Sequence, residues 1–533
     1  MRILINLLSK ILTPIAQKFE QKLLQPEQTQ KAVQEEIFTR FIKSKYGKNL
    51  GIKSLEDWQK IPIINYEDIK QWIKPVNEVR SQNSEVRSGF CNGDLRPAPK
   101  TFRRSRQSFK PNYFGKNQLL SPEKIIFYEK TSGSRSKAKL IPYTKSLRKS
   151  FNQMFCIWAQ NLIKNGPKFM TGKIYFCISP EFEENQNSLG LEDDSEYLDS
   201  WLRLLLSPFL IILPKRFKTV EEFKEALCLK LLETEQLEIL SIWSPSFLKI
   251  HLDYIQTHHQ KLANKLKHRI SDKRYQLLLQ SQISWTQLWP HLKLISCWDN
   301  AYSKEPANYL RRLFPETLVQ GKGLLATEAP ITVPLIQASG CVPLLDEVFF
   351  EFEASDRQIY QLHQLTQNQI YSVIISQKGG LYRYKIGDRV LVTKFYLNTP
   401  CLEFIGREGN TSDLVGEKLH EDFVAEVMSQ LPLKDIFFKS LIPINSSPPY
   451  YLLVVDRLDR HPSEIAQNLD RLLMQSYHYR QARLYGQLSP AQVIISPDML
   501  ENILREKIAT GKKWGDIKPE ILMMEHESSL INN

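Results

Sequence analysis

No stretch of this sequence approaches the ~18 uncharged apolar residues that a membrane-spanning helix needs. The N-terminus, MRILINLLSKILTPIAQKFEQKLL, is broken by Lys10 and Lys18 and does not read as a signal peptide. Cysteine pairs are missing too. The seven cysteines (Cys91, Cys156, Cys177, Cys228, Cys297, Cys341 and Cys401) are scattered, with no CxxC spacing and no His cluster beside them. This argues against a zinc site or a disulfide framework and predicts a reducing, cytoplasmic location. A Walker loop, GxxxxGK[ST], is absent, and no internal repeat is visible. The net charge of +13 lacks organisation: apart from Arg103, Arg104, Arg106 and Lys110, basic residues are spread along the chain. A specific nucleic-acid partner would want a broader basic face with stacking aromatics, so none is expected.

What is present is an ordinary globular composition, 42% hydrophobic and 24% charged over 533 residues. That length exceeds the ~250–300 residues at which single cores stop growing, so a large domain and at least one more are expected. Ile3, Leu4, Leu7, Leu8, Ile11, Leu12, Ile15, Phe19 and Leu23 recur at helical spacing and predict an amphipathic helix packed on the protein. Helical patterns continue to about residue 75. Residues 81–117 are polar, basic and turn-rich, and read as a surface loop insertion. From Lys124 onward, strand-like runs such as KIYFCIS, LEILSIW, LKLISCW and YSVIIS alternate with helical stretches, which predicts an α/β core with mixed sheets. After Gly406 come helix Glu421 to Gln430, strand YYLLVV, helix Pro462 to Tyr477, strand QVIIS and helix Asp498 to Ala509, the makings of a smaller α+β domain. The boundary is placed near Arg407, giving a large domain at 1–406 and a small mobile one at 407–533.

Three polar clusters carry candidate chemistry. KTSGSRSKAKLIPYT (Lys130 to Thr144) is a hydroxyl-rich loop after a strand. Ser132, Gly133 and Ser134 offer N–H groups and hydroxyls at close approach and Lys139 a point charge, the elements of a polyphosphate cradle, although solvated turns are built of the same residues. GKGLLATEAP (Gly321 to Pro330) ends a strand-like run in Thr327 and Glu328. A carboxylate there can hold a magnesium ion bridging phosphate oxygens, or merely cap a helix. In GGLYRYKIGDRVLV (Gly379 to Val392) a glycine turn feeds a strand that Gly387-Asp388 interrupts, setting one carboxylate at a bend where it could grip a ribose diol or cap a turn.

In this order the three clusters resemble the nucleotide motifs of adenylate-forming enzymes, most of all the acyl acid amido synthetases of the Gretchen Hagen family, including its bacterial members. LEFIGREGNTSDLVGEKLHEDF resembles the family's stretch between domains, and GKKWGDIKPEIL its terminal lysine motif. The resemblance implies an acyl-CoA synthetase/luciferase-like large domain with mixed sheets and a smaller C-terminal α+β domain. It implies ATP and Mg²⁺ as cofactors. Ser132, Gly133, Ser134 and Lys139 would hold the phosphates, and Gly323 would lie near adenine. Thr327 would contact phosphate, and Glu328 would bind Mg²⁺. Tyr382 would belong to the nucleotide site, Asp388 would bind the ribose hydroxyls, and Arg407 would sit at the hinge. Lys418 and Lys518 would approach the α-phosphate from the small domain, where a cation stabilises charge that grows in the transition state.

The reaction so implied is ATP-dependent conversion of a small carboxylic acid to an acyl-adenylate, followed by attack of an amino acid's amine to form an amide. No nucleophilic side chain is needed, so Cys297 and Cys341 are expected in the core. An acyl-CoA ligase shares the first half-reaction. A catalytically silent protein keeping the fold is the alternative of another class, prompted by Ser136, Lys137, Ala329 and Gly409 where the family pattern differs. The identity of the acid is not written in any of these segments.

Overall fold

Two helices, Arg2–Leu23 and Pro26–Lys43, open the chain in a computed structural model. It describes residues 1–73, 119–131, 139–177, 181–182, 200–214, 216–409, 411–509, 517 and 520–523. The loop read at 81–117 lies outside them. On the first helix Ile5, Leu8, Leu12, Phe19 and Leu23 are buried, but Ile3, Leu4, Leu7 and Ile11 stay exposed. The single core-facing stripe expected from periodicity is therefore split, because the apolar residues cover a wider arc than one packed face can bury. Pro26 occupies the first turn of the second helix, where its missing N–H costs nothing.

Residues after Lys124 form the expected mixture of sheets. Strands Ile174–Phe176, Ile239–Ser241, Leu294–Cys297 and Leu318–Gly321 make a parallel sheet in that order. Their near-continuous apolar character suits strands covered on both faces. A five-stranded antiparallel sheet follows, ordered Ile359–Gln361, Val348–Glu353, Ile370–Gln377, Tyr384–Tyr396, Thr399–Arg407. Between them lies helix Lys145–Asn165, which Thr144 caps by accepting from Leu147 N. One apolar cluster joins this helix, the second helix and the antiparallel sheet through Phe41, Phe151, Phe350 and Val390. A second cluster fills the helical side of the parallel sheet, around Phe223, Ile255 and Trp289.

The C-terminal part has its own sheet, in which Lys439–Ile444 pairs antiparallel with Tyr450–Val455 and the latter pairs parallel with Gln492–Ile495. The run YYLLVV shows why such a continuous apolar strand is needed. Tyr451, Leu453 and Val455 face this unit's own helices, whereas Leu452 and Val454 join Phe437, Phe438 and Ile503 in the second cluster of the preceding part. Both faces are thus covered, and the C-terminal unit is docked through apolar contact. Lys224 Nζ reaches Glu501 Oε1 across the same junction at 2.7 Å. The helix read at Pro462 to Tyr477 is two, Pro462–Leu473 and Tyr477–Leu484.

Candidate active site

The site is assembled where three short pieces of backbone meet. Strands Ile125–Lys130 and Leu140–Thr144 form an antiparallel ladder whose connecting residues 132–138, with Ser132, Gly133 and Ser134, lie outside the described residues. The neck of that connection is described. Thr131 N donates to Lys139 O at 2.9 Å, and Lys139 N donates to the Thr131 hydroxyl at 3.2 Å. Lys139 Nζ stands 5.7 Å from the ring centre of Tyr66, whose hydroxyl accepts from Leu140 N at 2.9 Å. The lysine is thereby aimed by an aromatic face rather than left to rotate freely.

Thr327 and Glu328 stand at the end of a short strand, Leu325–Ala326, as the sequence suggests. They are the two-residue turn of a hairpin in which Ala326 pairs with Ala329 and Leu325 with Pro330. Tyr143, from the strand that follows Lys139, donates its hydroxyl to Thr327 O at 2.7 Å and so ties the two motifs together. Gly323 enters this hairpin at φ +70°. A Cβ there would fall 2.4 Å from Thr332 Oγ1, the atom that accepts from Leu324 N at 2.8 Å. Glu328 is 5% exposed. Burial pushes its carboxyl above the usual range, against the opposing charges of Arg407 and Lys139.

The third piece is strand Tyr384–Tyr396. Gly387, at φ +81°, sits in a bulge where the ladder to Ile370–Gln377 shifts register, and the bulge delivers Asp388 to the site. Asp388 is buried and pairs across the ladder with Arg407, whose Nε donates to Asp388 Oδ1 at 2.6 Å. That carboxylate raises the guanidinium's pKa further. Tyr384 is the residue that sequence reasoning missed. Its phenol is pushed up chiefly by burial, then by Glu328, with Tyr66, Arg407 and Asp388 also within electrostatic range.

Tyr382 is placed elsewhere, fully buried with its ring 5.0 Å from that of Phe41. Alternation along GGLYRYKIGD would put Tyr382, Tyr384 and Asp388 on one face. Arg383, however, adopts φ +48°, which breaks the alternation and turns Tyr382 into the core. Lys139, Thr327, Glu328, Asp388 and Arg407 are therefore brought together, with Gly323 at the entry to the hairpin. Lys418 is exposed on a turn of the C-terminal unit at φ +46°, and Lys518 lies outside the described residues. Cys297 is buried as expected, whereas Cys341 keeps part of its surface exposed.

Glu328 suits a magnesium ion in one respect that can be tested on the protein alone. It is a carboxylate whose burial outweighs the nearby charges of Arg407 and Lys139, and among the described residues no group of three His, Cys, Asp or Glu could hold a metal unaided. A hard cation there would need phosphate oxygens to complete its shell, the usual arrangement for Mg²⁺.

Comparison with known proteins places this geometry. Residues 15–83 and 113–319 match the GH3 family N-terminal domain, residues 341–407 its central domain and residues 420–527 its C-terminal domain. The chain belongs to the GH3 family. This GH3 chain is 31% identical over 134 residues to the 4-substituted benzoates-glutamate ligase GH3.12 of Arabidopsis thaliana, covering 22% of this chain and 23% of that protein. Against the indole-3-acetic acid-amido synthetase GH3.15 of the same plant it is 22% identical over 494 residues, covering 80% and 77% of the two chains. Alignments to the first three relatives span 23%, 31% and 34% of those proteins' lengths. The solved structure of the AtGH3.15 acyl acid amido synthetase in complex with 2,4-DB superposes with a TM-score of 0.76 at 17% identity, covering 98% of this chain and 95% of that one. The fold is accordingly that of an acyl acid amido synthetase. Among the described residues no helix is long and apolar enough to cross a membrane.

Proposed function

We propose that this GH3 chain is an AMP-forming ligase that activates a carboxylic acid with ATP and passes the acyl group to the amine of an amino acid. The reading rests on one observation above all, the convergence of Lys139, Glu328, Asp388 and Arg407 from four separate segments of the sequence. In it Asp388, held by Arg407, accepts the ribose hydroxyls, and Lys139 opposes the charge of the phosphates. The acid's carboxylate oxygen attacks the α-phosphorus, the bond to the bridging oxygen breaks, and pyrophosphate leaves. Glu328 would hold Mg²⁺ together with phosphate oxygens, and that ion would supply charge neutralisation at the leaving group. Amine attack on the acyl carbon then expels AMP, which needs no side-chain nucleophile. Ser132, Gly133 and Ser134 complete the phosphate cradle in this proposal. Lys418 and Lys518 act at the α-phosphate from residues 407–533, which reorient between the half-reactions. The scattered cysteines support a cytoplasmic enzyme.

The test is acid-dependent exchange of labelled pyrophosphate into ATP across a panel of acids, followed by addition of amino acids or CoA. Exchange with amide formation supports the proposal, and thioester formation alone would move the chain to the acyl-CoA ligases. No exchange with any acid, from folded protein that still binds ATP, would make it a silent member of the fold.

A further inference from the structure

Apart from the nucleotide site, the first two helices and helix Lys145–Asn165 border a cleft of about 600 Å³, an ordinary size for a small-molecule site. Helical spacing builds its walls. Lys18 and Lys22 lie one turn apart on the first helix, Ala32 and Glu36 on the second, and Lys149 and Gln153 on helix Lys145–Asn165, so each pair faces the same space. Ala32 contributes only a methyl group, which leaves the gap between the helices open. Asp346 and Glu347, just before strand Val348–Glu353, and Lys378, just after strand Ile370–Gln377, complete the lining. Lys139, Glu328, Asp388 and Arg407 take no part in it.

The charges of the cleft are unevenly satisfied. Lys22 Nζ pairs with Asp346 Oδ2 at 2.9 Å, and Gln153 Nε2 donates to the same oxygen at 2.6 Å. Lys378 Nζ lies 3.1 Å from Glu36 Oε2 and 3.0 Å from Glu347 Oε2, and Glu36 also meets Arg40 at 3.2 Å. Each carboxylate of the cleft therefore has a cationic partner. Two lysines are left over, because Lys18 and Lys149 have no ion-pair or hydrogen-bond partner among the described residues. Both are exposed, which sets them at the mouth. One acceptor is left over as well. The Asp346 side chain is only 1% exposed, yet its Oδ1 meets no donor. An unpaired buried carboxylate oxygen is costly, so such an atom in the wall of a cleft marks where a donor belongs.

We propose that this cleft binds a phosphate monoester of a small polyol, its phosphate met by Lys18 and Lys149 and one of its hydroxyls donating to Asp346 Oδ1. Two unopposed ammonium groups call for a doubly charged anion, and charge-assisted bonds to phosphate oxygens are the strong ones. The acceptor calls for a hydroxyl and not for another ammonium, because Lys22 already balances Asp346 and a further cation beside it would be repelled. That contrast sets a sugar or glycerol phosphate apart from a free amino acid, which would have to place its ammonium there.

The experiment measures binding to the full chain by calorimetry for glycerol 3-phosphate, ribose 5-phosphate and glucose 6-phosphate, each beside its unphosphorylated polyol, with inorganic phosphate and glutamate as comparisons. At least one ester should bind about tenfold more tightly than both its polyol and inorganic phosphate. Lys18→Gln combined with Lys149→Gln should weaken that ester about tenfold or more and leave the urea midpoint in place, since neither side chain has a partner to lose. Ala32→Trp fills the cleft without removing a charge and should abolish binding, with the urea midpoint again showing that the protein is folded. An affinity unchanged in either folded variant would place the ester elsewhere, such as at the nucleotide's phosphate positions, and overturn the proposal. So would failure of every ester to bind, inorganic phosphate bound as tightly as the esters, or glutamate bound more tightly than any ester and weakened by the same variants.

Discussion

Asp388 and Arg407 face each other across neighbouring strands of the antiparallel sheet, joined at 2.6 Å, and one of them is buried while the other is about half exposed. The pairing fixes the carboxylate's direction, which is what gripping a diol requires.

Replacing Asp388 by Ala should raise the KM for ATP by about tenfold or more with a smaller loss in kcat, because the interaction lost is made in the ground state as well. Lys139→Ala should act the other way, lowering kcat for pyrophosphate exchange by about ten- to a hundredfold with KM less changed, since the charge it opposes grows toward the transition state. Steady-state exchange kinetics on both variants checks the split. Unchanged kinetics in either would remove that residue from the site.

Gly323→Ala should destabilise the protein by about 2 kcal/mol or more, the sum of a left-handed φ and a close contact. Its Cβ would press on Thr332 Oγ1, in a residue with no exposed surface, and approach Cys341 Sγ at 3.0 Å. Adding Thr332→Ala should recover only part of the loss, because it relieves the contact but not the φ, and Leu324 N loses its acceptor. Urea unfolding of the single and double variants measures this, and full recovery in the double variant would show the φ to be harmless.

The sheet layout was legible where periodicity is strong. YYLLVV forms the strand Tyr450–Val455 and Glu421–Gln430 the helix that the sequence predicts. The candidate site was legible by residue type and less so by geometry. Thr327 and Glu328 stand at a strand end as read, but the strand is one arm of a hairpin whose turn they form, and periodicity does not announce that return. Tyr382 and Tyr384 exchange places because one residue, Arg383, takes a positive φ that no periodicity announces.

His251 gives stability a pH dependence that can be predicted in sign. It is buried in helix Pro245–Leu266 against Phe247, with Nδ1 2.7 Å from Phe247 O, so the neutral ring carries its proton on Nδ1. Burial depresses its pKa to about 4, helped by the charge of Lys224 and opposed by that hydrogen bond. The unfolded chain takes up the proton near pH 6.5 and the folded chain only near 4, so stability is full above about 6.5 and declines as pH falls between those values. Between pH 7.5 and 5 the loss should be about 2 kcal/mol. His251→Leu should remove that part of the slope in denaturant titrations at the two pH values, and an identical slope in the variant would show the ring to be protonated in place.

Arg383 and Glu351 form the most deeply buried ion pair that touches the third motif. Arg383 Nε donates to Glu351 Oε2 at 2.9 Å, and the two side chains are 4% and 1% exposed. The remaining guanidinium donors reach Ile61 O at 2.7 Å, Gln59 O at 3.0 Å and Gln59 Oε1 at 2.9 Å, which lashes the segment before Tyr66 to the strand that carries Tyr384 and Asp388. Arg383→Met should cost about 3–5 kcal/mol, because it strands a carboxylate in the core. Adding Glu351→Leu should restore much of that stability, since two apolar side chains pack where two charges had to be desolvated. Recovery should stop short of wild type, because Trp58 Nε1 also donates to Glu351 Oε2, at 3.1 Å, and the double variant leaves that indole without its acceptor. A thermodynamic cycle over the four proteins by urea unfolding measures the coupling. Strictly additive losses would mean that Arg383 acts through its bonds to residues 59 and 61 alone, and that the pair itself contributes nothing to holding the Tyr66 segment against the site.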